Sequence, residues 1–337
     1  MTATTEESAA LAAAELHHAW LTGIILALVA HRGAETAREF VFGLFRRQHL
    51  ERFLPGLQKL ELDSLPHAIA AARYHYFSNQ LGGVKVEYLE VDERKAWIRY
   101  PPSRWIWNGT AICAIPSEVN RAMLYAWHAH NGVSLGNPRL GFVCTGTTVD
   151  GAAGLEGYYI EYDHEIAPSE RLRFVDDEPC PPIDRALLPR LDSHAWPALR
   201  QAKAYRNYAM EYIRNALPLL VEQLGADDAL AVGVRCGRQI GMQSYDAVAG
   251  RLGVDGDDAA SFAGLFGQLL RASGDEINVG GASVERETWR LFDAGSMTAP
   301  LFDLWRAPFE GLLAVHNRFL TLSGSSPSRF TIETSTR

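Results

Sequence analysis

Asn79-Gln80-Leu81-Gly82-Gly83-Val84-Lys85-Val86-Glu87-Tyr88-Leu89-Glu90, followed closely by Ala96-Trp97-Ile98-Arg99-Tyr100, marks the point where a helix gives way to a hairpin. Gly82 and Gly83 stop the helix, since glycine accepts the left-handed backbone that helix ends demand. The two segments beyond alternate and are rich in β-branched and aromatic residues, with a turn at Asp92-Glu93-Arg94 between them. Upstream, Asp63-Ser64 is read as the cap of a helix with Pro66 in its first turn. Earlier still, Leu21, Ile24, Ile25 and Leu28, then Phe40, Leu44 and Phe45 beyond a turn at Gly33, recur at helical spacing. Downstream, a helix is predicted over 117–131, then strands around Gly141–Cys144 and Tyr158–Tyr162. Helices in runs followed by antiparallel strands predict an α+β fold rather than a parallel doubly wound sheet.

The same order recurs. Gly33 and Gly225 are separated by 225 − 33 = 192 residues, Trp97 and Trp289 by 289 − 97 = 192, and Gly82 and Gly274 by the same interval. Trp127-His128-Ala129-His130-Asn131 is matched by Leu313-Ala314-Val315-His316-Asn317, and Tyr158–Glu161 by Phe330–Glu333. These matches predict an internal duplication. The first copy, residues 1–166, is enlarged and is the expected active-site domain. A Pro-rich connector spans 167–197 around Pro179-Cys180-Pro181-Pro182, and a shorter, mainly structural second copy spans 198–337.

Of 337 residues, 47% are hydrophobic and 21% charged, a balance that excludes disorder and low-complexity classes. The net charge of −8 and the lack of a basic run argue against nucleic-acid binding. The apolar run Trp20–Ala30 is shorter than the ~20 residues of a membrane span, and the acidic start is unlike a secretory signal. Cys113, Cys144, Cys180 and Cys236 form no close pair. The expectation is a cytoplasmic protein with reduced thiols, no cofactor, no metal and no membrane or nucleic-acid partner. A homodimer is compatible with this reading.

The helix over 117–131 places Val119, Ala122, Met123, Ala126, Trp127 and His130 on one face, so His130 is expected to point inward. His128, about 200° around such a helix, cannot share a metal with it. His130 is read either as a general acid/base or as a buried helix-end residue. His316, at the same place in the second copy, is read as structural. Glu161 shares a strand face with Asp163 and is a candidate acid/base partner; the plain alternative is a solvated face. Cys144 becomes a nucleophile only if a base such as His130 reaches it; most such cysteines are packing residues. Trp105 and Trp107, two apart on a strand, can line an apolar ligand pocket, joined by Asn108, Tyr74, His75, Asn131 and Tyr158. Arg46-Arg47 with His49 can hold a carboxylate, although arginine on a helix is commonly solvated. Gly132-Val133-Ser134-Leu135-Gly136 spells a nucleophile elbow but follows a helix, the wrong context.

The second copy, from Tyr208-Ala209-Met210 through Gly237-Arg238-Gln239-Ile240-Gly241 to Trp305 and His316, resembles the L-2-amino-thiazoline-4-carboxylic acid hydrolase family. That family is similar to 4-vinyl-reductase-type small-molecule-binding domains. The resemblance implies hydrolytic opening of a small sulfur heterocycle and makes His316 and His130 counterparts of a helix-end histidine. The zinc-holding cysteine cluster of the related domains is not matched, since Cys236 stands alone in this copy. The resulting expectation is a cofactor-independent hydrolase or lyase acting on a small cyclic or aromatic molecule in an apolar pocket of the first copy. The alternative is a small-molecule-binding protein without chemistry.

Overall fold

Gly33 adopts φ 88°, ψ 165°, outside the reach of ordinary L-residues, and so breaks what is otherwise one 55-residue helix, α1 (Thr5–Lys59). Gly225 repeats the device at φ 79°, ψ 163°, between α5 (Ala198–Leu224) and α6 (Ala226–Leu252). A computed structural model describes residues 5–102, 108–175, 178–292 and 297–335. The chain divides into two compact units, Leu28–Ala195 and Met1–Ala27 together with Trp196–Arg337. This differs from the division expected from sequence. The first 27 residues belong with the C-terminal part, and the Pro-rich connector belongs with Leu28–Ala195.

Within Leu28–Ala195, the arm of α1 beyond Gly33 precedes α2 (His67–Leu81), the hairpin β1 (Glu87–Asp92) and β2 (Lys95–Tyr100), and α3 (Ser117–Trp127). A single turn α4 (Asn131–Ser134) leads into β3 (Leu140–Gly146), β4 (Leu155–Glu161) and β5 (Leu172–Phe174). The sheet runs β1-β2-β4-β3-β5, antiparallel except for β3 with β5. One sheet face packs Tyr159 and Phe142 among buried helix residues. The other carries the Trp97, Val143 and Tyr158 cluster. In the second unit, α5 and α6 precede α7 (Ala259–Ala272), β6 (Ile277–Gly280), β7 (Ser283–Arg286), α8 (Ala299–His316), β8 (Leu320–Ser326) and β9 (Arg329–Thr334). Its sheet runs β6-β7-β9-β8, the order of the first four strands of the other sheet. The architecture is α+β in both.

Three details correct the sequence reading. The helix predicted over 117–131 stops at Trp127, and His128–His130 form a 3-10 turn. That turn rotates the phase, so His128 is buried and His130 is half-exposed, the reverse of the expectation. Helix α2 starts at His67 behind Pro66, with no side-chain cap from Asp63 or Ser64. Trp97 lies inside β2 whereas Trp289 falls beyond β7, so their 192-residue spacing is not a structural equivalence.

Close packing explains Gly233, Gly237 and Gly241 of α6. A Cβ on Gly241 would lie 1.9 Å from the Pro308 carbonyl oxygen, so this helix and α8 touch backbone to backbone. Helix α1 contains an 18-residue window of mean hydropathy 1.4, apolar enough to cross a membrane, yet 67% of that window is buried inside the folded protein, as in a core helix.

Candidate functional site

Polar side chains collect on the helix-covered face of the Leu28–Ala195 sheet. Asn131, fully buried, is the hub. Its placement follows from the 3-10 turn, which delivers it at the first residue of α4. His49 comes from an otherwise apolar stripe of α1 that includes Phe45 and Phe53, His75 from α2, and Tyr159 from β4.

The hydrogen bonds fix one direction of donation. Arg46 donates to His49 Nδ1 at 2.6 Å, so His49 carries its proton on Nε2 and gives it to Asn131 Oδ1 at 3.1 Å. Asn131 Nδ2 donates to His75 Nε2 at 3.1 Å and to the Tyr159 hydroxyl at 2.7 Å. The Tyr159 hydroxyl is also hydrogen-bonded to His128 Nδ1 at 2.6 Å. The His75 and His128 rings stack with centroids 4.2 Å apart, and Phe142 covers His128. Burial, reinforced by the Arg46 charge, pushes His49 down to about 3, and burial lifts the Tyr159 phenol well above its ordinary range. A neutral His49 imidazole and a neutral Tyr159 phenol are therefore the resting state.

A polar cleft of about 760 Å³ lies along the same three chain segments. Helix α2 supplies His67 to the cleft and His75 to the network. The 131–137 segment supplies Asn137 and Asn131. Strand β4 supplies Glu161 and, two residues away on the same face, Tyr159. Asn137 Nδ2 lies 2.9 Å from both His67 Nδ1 and Glu161 Oε2, and the other Glu161 oxygen pairs with Arg139 at 2.5 Å.

The expected site residues separate accordingly. Tyr74, His75 and Asn131 come together, Tyr74 stacking near Trp127 and edge-on to His75. Glu161 lies in the polar cleft, not in an apolar pocket. His130, half-exposed, gives its Nδ1 proton to the Tyr125 carbonyl at 2.9 Å, and its ring lies 6.1 Å from that of His49. Burial, with the Arg46 charge, lowers its pKa. Cys144 does not fit a nucleophile's role: burial drives its thiol up to about 12, and it bonds the Gly146 carbonyl. It also sits four strand residues beyond Leu140, the residue paired with Glu161, about 13 Å along the sheet. Tyr158 lies on the opposite face, its hydroxyl on Glu178. Asn108 is exposed before a 3-10 turn. Trp105 and Trp107 lie outside the described residues.

His128 and Tyr159 were missing from the expected site, and His49 was read only as a carboxylate partner beside Arg46 and Arg47. His49 carried a signal, a polar residue in line with Phe45 and Phe53 on an apolar helix stripe, whereas His128 carried none, because only the 3-10 turn brings it inward. Among the described residues, no group of three or more His, Cys, Asp or Glu is disposed to hold a metal ion. Comparison with protein-family models, with curated proteins and with solved structures gave no match.

Proposed function

We propose that the chain is a cofactor-independent hydrolase or lyase acting on a small cyclic molecule, built from a doubled α+β module in which Leu28–Ala195 does the chemistry. One observation carries this reading, a comparison of equivalent positions. Sixteen residues past each helix-breaking glycine stands His49 in one unit and Gly241 in the other (49 − 33 = 241 − 225). The helix-closing bonds Val84 N–Asn79 O and Asp275 N–Leu270 O align α2 with α7, and four residues back His75 matches Phe266. The residue after each hairpin-closing pair is Ala96 or Val284. These face Tyr159 and Phe330. The His75–Tyr159 ring pair, 5.8 Å apart, is thus replaced by Phe266–Phe330 at 5.2 Å.

In the other unit glycine and two phenylalanines stand at these places, so the imidazoles of His49 and His75 and the Tyr159 phenol are not needed to build the fold. Burying them costs stability relative to hydrocarbon, which favours a chemical role. In this reading Glu161 in the polar cleft is the base or nucleophile-activating carboxylate, oriented by Arg139 and Asn137. His67, joined to it through Asn137, is the partner acid. The Asn131 network holds the floor of the site and its proton positions. The resemblance to thiazoline-carboxylate hydrolases agrees with a ring-opening hydrolysis. His316 bonds Tyr245 and the Asp258 carbonyl in the other unit, which suits a structural role.

The test is turnover. The full chain is incubated with small lactams, lactones, thiazolines and cyclic imides, and products are followed by mass spectrometry. Conversion that vanishes in Glu161→Gln while the fold is kept supports the reading. Absence of conversion across the panel, or conversion indifferent to Glu161→Gln, overturns it. The binding-only alternative draws on one fact: both Glu161 oxygens are already engaged. Saturable ligand binding with no product would favour it.

A further inference from the structure

We infer that the unit containing Trp196–Arg337 holds a phosphate-type dianion, inorganic phosphate or the phosphoryl group of a monoester, on Arg286 and Arg290. The inference is independent of the chemistry assigned to Leu28–Ala195. Its starting point is the comparison of units made above, now run in the other direction. Val284 and Ala96 occupy matching places, so Arg286, two residues on along the same strand face, stands where the other unit has Ile98. Ile98 is fully buried. Hydrocarbon serves this place in one unit, and a guanidinium there costs stability unless its charge is used.

Arg286 is poorly satisfied by its own chain. Its side chain is 2% exposed, and its Nε lies 3.2 Å from Asp275 Oδ2. Neither Nη1 nor Nη2 has a hydrogen-bond partner, so both amino groups of the guanidinium are buried and unused. Burial pulls the group down to about 10 even with Asp275 alongside. Trp289 and Trp305 have their rings 4.5 and 4.3 Å from the guanidinium carbon. The two ring centres are only 5.0 Å apart, so both indoles flank the guanidinium from one side and do not sandwich it.

Positive charge is in surplus around Asp275. Arg290 gives its backbone N–H to the other Asp275 oxygen at 2.8 Å, and its guanidinium lies over Gly274, with Nη1 2.9 Å from where a Cβ would stand. Arg290 is exposed, and among the described residues its guanidinium makes no hydrogen bond or ion pair. Arg206, which bonds the Ala272 carbonyl and Asn207, brings a third guanidinium whose charge acts on Asp275 and Arg290. Glu6, the other acid near Arg206, is paired with Lys203. Three guanidiniums thus face one free carboxylate. A doubly charged oxyanion answers that surplus and brings enough acceptor oxygens for the unused Arg286 donors and for Arg290, whereas a single carboxylate does not. Trp289 is the less buried of the two indoles and adjoins Arg290 in the chain, so the anion enters from the 289–290 side.

Isothermal titration calorimetry on the full chain tests this at constant ionic strength and about pH 8, where phosphate is doubly charged. The probes are inorganic phosphate and phenyl phosphate, with acetate and chloride as singly charged controls. The expected result is saturable phosphate binding, about tenfold or more tighter than either control. Tighter phenyl phosphate assigns the site to a monoester; equal or weaker phenyl phosphate assigns it to the free ion. Arg290→Gln, at an exposed place, should keep the parent's melting curve and weaken phosphate about tenfold. Arg286→Met should abolish binding. Combined with Asp275→Asn it should still fold, since no buried charge is then left alone. No saturable phosphate binding by the parent, equal binding of acetate, or phosphate affinity unmoved by Arg290→Gln overturns the inference.

Discussion

The Tyr159 hydroxyl lies 2.6 Å from His128 Nδ1 and 2.7 Å from Asn131 Nδ2, so one buried phenol ties an imidazole to an amide from which it accepts. Removing that oxygen leaves two buried polar groups without their partner. Tyr159→Phe is expected to lower stability by about 1–3 kcal/mol, although phenylalanine occupies the matching place in the other unit. Chemical denaturation measures it. A neutral outcome would show that water or rearrangement replaces the hydroxyl.

Asn131→Ala should cost more. It removes the acceptor of His49 Nε2 and the donor to both His75 and Tyr159, in a fully buried place. A loss on the order of 3–5 kcal/mol is expected by the same measurement. A loss below that of Tyr159→Phe would contradict the hub assignment.

Acid should destabilise the protein well above the range where carboxylates titrate. His49 is held down to about 3 and His17, buried in the other unit, to about 4, both below the ordinary 6.5. Below pH 6.5 the unfolded chain takes up protons that the folded chain refuses. Each such group therefore removes roughly 1.4 kcal/mol per pH unit as pH falls toward its folded value. Melting temperature should be flat from pH 8 to 7 and decline steadily from about 6.5 to 4. A profile level down to pH 5 would show that these imidazoles are protonated in the native state.

Thiol reactivity should be ordered. Cys113 is exposed, whereas Cys144 and Cys236 are buried and pushed up to about 12. Native protein treated briefly with iodoacetamide should be labelled first at Cys113, with Cys144 modified only after unfolding. Peptide mapping reads the order. Fast labelling of Cys144 would restore it as a nucleophile.

Gly241→Ala should destabilise the C-terminal unit by about 3 kcal/mol or more, because the new methyl meets the Pro308 carbonyl rather than a movable side chain. Equilibrium unfolding of the variant checks this.

Much of the fold was legible because its causes are local. Helical spacing around Phe40 and Phe45, the glycine breaks at Gly33 and Gly82–Gly83, and the alternation of 87–100 each depend on a few neighbouring residues. The repeated Gly33 and Gly225 devices were visible for the same reason. The helix over 117–131 misled because its apolar spacing continues past Trp127, while the backbone tightens into a 3-10 turn that no side chain announces.

The amino-acid order alone settled the α+β class, the hairpins and the helix breaks, since steric preference and periodic burial act over one or two turns of chain. Tertiary packing alone decided that His49 meets Asn131 across 82 residues, that His128 goes in and His130 out, and that Glu161 opens onto a polar cleft. A polar side chain can be buried only where distant segments bring it partners, and those partners exist only once the chain has closed upon itself.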